Sequence, residues 1–176
     1  MIYLINPIPG LFRKNKGFEL EVSQVKYQSS RGQFHSVSAA EAVKMGIAPD
    51  GGLFVPDSIP VLQSHDIAAM QQQDYQSRAC QVMACYLDDF TAAEIADCVN
   101  AAYNPAGFDH EGIAPLRQLE PNVFIQELWH GPTAAFKDMA LQFLPHLMIY
   151  SVQKTQEESE IVILVATSGD TGKAAL

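Results

Sequence analysis

The feature that most restricts the fold is a run of six apolar residues late in the chain, IVILVA at 161–166. A strand that is apolar on both faces is typical of a parallel sheet covered by helices. A polar connection at 155–160 precedes this run, and a glycine-containing turn at 167–172 follows it. The pattern predicts an α/β fold in which the strand is buried.

Another strand is predicted at 122–128, and a long helix follows from about Phe136 to Gln153. Pro145 lies inside that helix, where a proline removes a hydrogen bond and is expected to kink it. Strand, helix and strand in this order predict a right-handed βαβ unit. Because a buried parallel strand needs neighbours, we expect the 176-residue chain to be a fragment or to fold only in part.

The part of the chain before this unit is predicted to be mainly helical. Two S/T-x-x-E patterns are typical of the capping boxes that begin helices: Ser38 with Glu41, and Thr91 with Glu94. Residues 104–115 hold two prolines and two glycines, a composition that favours a linker or a domain edge.

Charge and cysteine content exclude several classes of protein. Eleven basic and twenty acidic residues give a formal charge of −9, which argues against nucleic acid or an anionic membrane as a partner. No apolar run approaches the roughly 20 residues that span a bilayer. The apolar start is not typical of a secretory signal, because its basic residues follow the apolar stretch instead of preceding it. We therefore expect a cytoplasmic protein. The three cysteines and five histidines match no common zinc spacing, so no metal is predicted.

Two motifs can carry chemistry. In HGPTAAFKD at 130–138, Lys137 lies near a helix start among apolar residues, a setting that favours the neutral amine needed to form a Schiff base. In ATSGDTG at 166–172, a strand leads through a turn to a helix N-terminus, where N–H groups and hydroxyls can bind a carboxylate or phosphate. The spacing alone also permits a surface lysine and an ordinary strand-to-helix turn.

Residues from about 27 to 176 closely resemble the N-terminal part of threonine synthases of bacteria and fungi. The resemblance rests on three motifs in order: GGLFVP at 51–56, HGPT with FKD at 130–138, and ATSGDTG at 166–172. The chain then divides into three parts: an extension outside the resemblance (1–24), a mainly helical N-terminal domain (25–115), and the start of a PLP-binding α/β domain (116–176).

The resemblance implies an incomplete enzyme of the tryptophan-synthase β-like fold (fold type II) that depends on pyridoxal 5′-phosphate (PLP). Such an enzyme converts O-phospho-L-homoserine and water to L-threonine and phosphate by β,γ-elimination and water addition. By resemblance, Lys137 is the catalytic residue and holds the cofactor, and Asp170 faces the cofactor ring. The residues implied to bind the substrate are Thr167, Ser168, Gly169, Thr171 and Gly172.

Two alternatives stay open at this stage. A related PLP phospho-lyase would eliminate the phosphate and release a 2-keto acid, whereas a non-catalytic remnant would keep only a binding or regulatory module. The glycine-rich loop that holds the cofactor phosphate in the family is absent from these 176 residues. We therefore expect weak cofactor binding and negligible turnover by this chain alone. The sequence does not indicate an oligomeric state.

Overall fold

The computed structural model describes residues 25–175; the predicted extension at 1–24 lies outside the described residues. No helix within 25–175 is long and apolar enough to cross a membrane. The elements of this part of the chain are, in order, β1 (Tyr27–Ser29), α1 (Ala39–Met45), β2 (Phe54–Pro56), α2 (Ser64–Met70), α3 (Tyr75–Ala84), α4 (Ala92–Ala102), β3 (Leu116–Glu120), β4 (Val123–Gln126), α5 (Asp138–Leu141), α6 (Leu144–Lys154) and α7 (Asp170–Ala175).

Local capping signals place the starts of α1 and α4. The hydroxyl oxygens of Ser38 and Thr91 each accept a hydrogen bond from the backbone N–H three residues further on, and the glutamate at that position bonds back to the backbone N–H of the cap. These bonds satisfy N–H groups that have no partner inside a helix. Both predicted capping boxes are confirmed.

One hydrophobic core joins α1, α3, α4 and α6 with the loop at 104–115. Phe108 and Ile113 of that loop are each 2% exposed, so the segment that composition marked as a linker is packed into the core. Phe143 and Leu147, from the later part of the chain, are buried in the same cluster. The predicted domain boundary after residue 115 stays a prediction, and apolar packing continues across it.

The prediction of one kinked helix between 136 and 153 is wrong. The structure has two helices, α5 and α6, with Gln142 and Phe143 between them. Pro145 lies in the first turn of α6. A proline is favourable there because the N–H it lacks would have no partner in the helix, and its fixed φ suits the helical backbone. The proline therefore helps to begin a second helix.

The predicted parallel βαβ unit is not formed among residues 25–175. β4 occupies part of the strand predicted at 122–128, but it pairs antiparallel with β3, and β2 pairs antiparallel with β1. The strand predicted at 161–166 is not formed, and Leu164 within it is 93% exposed. No described strand lies beside this segment, so its backbone lacks the hydrogen-bonding partner that a strand requires.

Candidate active site

An open cleft with a volume of about 560 Å³ lies beside Lys137. α5 and the two residues before it form one wall, Gln126 and Leu128 contribute from the end of β4 and just beyond, and Thr171 contributes from α7. Most of the lining is apolar, with a few polar groups among it. This combination is typical of small-molecule binding sites.

Lys137 immediately precedes α5, and its carbonyl oxygen accepts a hydrogen bond of 2.9 Å from the N–H of Leu141. Its Nζ lies 4.8 Å from the centre of the Phe136 ring, a distance at which a cation is attracted to an aromatic face. The helix start thus fixes the backbone of the lysine. The side chain lines the cleft, where its amine can meet a ligand.

The carboxyl group of Asp138 contacts the turn that precedes the lysine. Its Oδ2 accepts a hydrogen bond of 2.9 Å from the N–H of Thr133, and its Oδ1 accepts one of 2.8 Å from the Thr133 hydroxyl. Lys137 and Asp138 are both described, and they form no ion pair with each other. The carboxyl group therefore stabilises the turn of the HGPT motif and is not paired with the amine of Lys137.

His130 ties the segment that leads to Lys137 to the loop after α4. Its Nδ1 lies 2.6 Å from Asp109 Oδ1, and its Nε2 lies 2.9 Å from Glu127 Oε2. The N–H of Asp109 also donates to the carbonyl oxygen of His130 at 3.0 Å. Hydrogen bonds raise the pKa of His130 above its ordinary value of 6.5, because both carboxylates favour the imidazolium. The bond to Glu127 contributes most, followed by the bond to Asp109.

The turn predicted to bind substrate is stabilised from within. Thr167 Oγ1 accepts hydrogen bonds from the N–H groups of Gly169 at 3.2 Å and Gly172 at 3.0 Å. These two N–H groups are therefore engaged inside the turn. Gly169 has a φ of +137°, a conformation that residues with side chains rarely adopt.

The structure brings together part of the predicted site. Lys137 and Thr171 line the same cleft, although they belong to different motifs. Ser168 and Asp170 are described as well, and both are exposed outside the lining of this cleft. The turn thus contributes to the cleft through Thr171, the second residue of α7.

Three comparisons with known proteins all find similarity to threonine synthases. A sequence model described as the threonine synthase N terminus matches residues 26–103. Threonine synthases from Schizosaccharomyces pombe and Pseudomonas aeruginosa are each 40% identical to this chain, over 162 and 157 residues. These matches cover 88% and 86% of this chain, but 31% and 32% of the relatives.

A solved structure agrees with the sequence matches. The PLP-bound threonine synthase from Brucella melitensis has a TM-score of 0.77 and 38% identity to this chain, over 86% of this chain and 32% of that protein. The chain matches the N-terminal region of the threonine synthase family. It spans about a third of the length of the relatives it matches. Its fold is correspondingly part of the α/β fold (fold type II) of the threonine synthase structures that it matches, with a mainly helical N-terminal region.

Two polar residues of the cleft beside Lys137 were not singled out by the sequence analysis. Gln126 ends β4 and Tyr75 begins α3, and both line the cleft. The Tyr75 ring lies edge-on to that of Tyr103, with 5.1 Å between the ring centres, and burial raises the pKa of Tyr75. No local pattern marks either residue, because each reaches the lysine only through tertiary packing.

Proposed function

We propose that this chain provides the lysine-bearing part of a threonine synthase. Such an enzyme uses PLP to convert O-phospho-L-homoserine and water to L-threonine and phosphate. The observation that carries the proposal is that Lys137 and Thr171, from two separate motifs, line one cleft. The similarity to threonine synthases over most of the chain supports it.

The residues of the cleft fit this cofactor. The amine of Lys137 can bond to an aldehyde carbon, and the apolar side chains of Leu128 and Phe136 suit the faces of a flat pyridine ring. Asp170 lies outside the lining of the cleft, but it adjoins Thr171 in the same motif, and we assign it to the polar edge of the ring. When bound, PLP supplies an electron sink for carbanions formed next to its imine.

Lys137 has two tasks in this proposal. Its Nζ would hold the cofactor, and as a free amine the same Nζ could carry protons between substrate carbon atoms. The hydroxyl of Thr171 donates a hydrogen bond to the substrate carboxylate. The remaining residues of the substrate-binding turn shape that contact: Thr167, Ser168, Gly169 and Gly172.

We expect negligible turnover by the 176-residue chain, because it spans about a third of the length of the threonine synthases it matches. A cofactor contact at Lys137 does not require turnover and can be tested on this chain. The cytoplasmic location expected from the sequence stays a prediction.

The first experiment locates the cofactor. The chain is incubated with PLP, reduced with borohydride, digested, and analysed by mass spectrometry for the lysine that carries the adduct. We expect the adduct on Lys137, its loss in Lys137→Ala, and its retention in the matched control Lys173→Ala. An adduct spread evenly over all lysines would contradict the proposal.

The second experiment tests the reaction. Residues 25–176 replace the corresponding part of the Pseudomonas aeruginosa threonine synthase, and the chimera is supplied with O-phospho-L-homoserine and PLP. We expect equal amounts of phosphate and L-threonine, and neither product from the Lys137→Ala chimera. Phosphate accompanied by a 2-keto acid would instead indicate the phospho-lyase alternative.

A further inference from the structure

Asp138 follows Lys137 directly, yet its carboxyl group forms hydrogen bonds with the turn that precedes the lysine. The side chain is completely buried, and its two oxygens accept the N–H and the hydroxyl of Thr133. Among the described residues no cation forms an ion pair with Asp138. A buried polar group requires partners, and here Thr133 supplies both.

The turn held by Asp138 is tightly constrained. A Cβ atom on Gly131 would lie 2.5 Å from Asp138 Oδ2, so the close approach requires glycine at this position. Ala134 has a φ of +56°, in the left-handed region that is unfavourable for a residue with a side chain. Such a conformation persists only when the surrounding contacts hold it. The two bonds between Asp138 and Thr133 are contacts of this kind.

This turn also sets the point from which the Lys137 side chain enters the cleft. The N–H of Asp138 donates to the carbonyl oxygen of Ala135 at 3.0 Å, so the turn continues directly into α5. We propose that Asp138 is a positioning residue, which by holding Thr133 fixes the turn that directs the Lys137 amine into the cleft. This inference rests on the proposed cofactor role of Lys137.

The test measures how strongly PLP prefers Lys137 over other lysines of the same molecule. The chain is exposed to limiting PLP under conditions in which every variant is folded, reduced with borohydride and digested. The adduct on Lys137 is divided by the mean adduct on two reference lysines, Lys44 and Lys154. Each variant therefore carries its own internal standard.

Variants from both sides of the contact should have the same effect. Asp138→Ala and Thr133→Val should each lower the preference for Lys137 roughly ten- to a hundredfold, the scale expected when a reacting group is misplaced by about 1 Å. The double variant should lose little more than either single one. Asp138→Asn and Thr133→Ser each keep a hydrogen-bonding group and should restore most of the preference.

Ser151→Ala is the matched control for a general loss of stability. Ser151 is completely buried, and its hydroxyl donates to the carbonyl oxygen of Leu147 at 2.8 Å within α6. Its replacement removes a buried polar contact at a residue that does not line the cleft. The preference for Lys137 should remain within about twofold of the unaltered chain, the spread expected of a site without coupling.

Amide hydrogen exchange at Thr133 separates positioning from simple stabilisation. Faster exchange at Thr133 in Asp138→Ala, with an unchanged preference for Lys137, would overturn the inference and leave the proposed function standing. No preference for Lys137 in the unaltered chain would overturn the proposed function, and the inference with it. If Asp138→Ala does not fold, the comparison of Thr133→Val with Thr133→Ser tests the same contact from the side of Thr133.

Discussion

The Tyr103 hydroxyl donates a hydrogen bond of 2.6 Å to the carbonyl oxygen of Met139. Tyr103 is the C-cap residue of α4, and Met139 lies in α5, two residues after Lys137. The Tyr103 ring is also stacked on Phe143, with ring centres 6.2 Å apart and an angle of 4° between the planes. One tyrosine therefore links the helical N-terminal region to the segment that carries the candidate catalytic lysine.

We expect Tyr103→Phe to lower the free energy of unfolding by about 1–2 kcal/mol, because the Met139 carbonyl loses its donor in a largely buried site. Burial is the main cause that raises the pKa of Tyr103, so the hydroxyl remains a donor at neutral pH. Urea denaturation followed by circular dichroism measures the change. Tyr150→Phe, whose hydroxyl bonds to Asp97 at the surface, is the control and should change stability by less than about 0.5 kcal/mol. Equal losses in both variants would contradict this reading.

The His130 cluster predicts a pH dependence of stability. The pKa of His130 is raised in the folded chain, so its stabilising contribution is fully present below the ordinary value of 6.5 and disappears as the pH rises through the raised value. The free energy of unfolding should therefore fall over the pH range just above 6.5. His130→Gln should remove this part of the dependence, whereas the control His35→Gln, at an exposed position, should retain it. An unchanged pH profile in His130→Gln would show that the two carboxylates do not stabilise the imidazolium.

The cysteines should differ in reactivity. Cys98 is completely buried, and burial is the main cause that raises its pKa to about 11. Burial also raises the pKa of Cys85, but Cys85 is partly exposed and therefore open to a reagent. Because the thiolate is the reactive form, Cys85 should react first with Ellman's reagent at pH 8, while Cys80 and Cys98 should react only as the chain unfolds. Cys85→Ser should abolish the fast phase, and Cys98→Ser should leave it intact. A fast phase of more than one thiol in the folded chain would contradict the packing.

The exposed apolar segment at 161–166 should promote self-association, since large exposed apolar patches mark contact surfaces or aggregation sites. Leu164→Asp should reduce association at high concentration, as measured by static light scattering. It should change the free energy of unfolding by less than about 0.5 kcal/mol, because Leu164 is 93% exposed. Leu147→Ala in the core is the contrasting control, expected to cost roughly 2–5 kcal/mol. Unaltered association in Leu164→Asp would mean that this segment is not the contact surface.

Helices whose capping residues lie within a few positions of each other in the sequence were predicted well. The helices that begin after Ser38 and Thr91 form as expected, because each capping box contains both of its partners within one turn. The motif around Lys137 also identified a residue that lines the cleft. The roles of the predicted site residues stay predictions, since their positions alone do not test them.

The structure of segments that need a partner far away in the chain could not be predicted from their own residues. The apolar run at 161–166 has strand composition but forms no strand, because the described residues provide no neighbouring strand to pair with its backbone. Pro145 lies in the first turn of a helix instead of kinking one, because the preceding helix ends before Gln142 and Phe143. Capping boxes and turns are local hydrogen-bonding choices. Strand pairing and the meeting of Lys137 with Thr171 require segments far apart in the chain to pack together, and only the tertiary structure decided them.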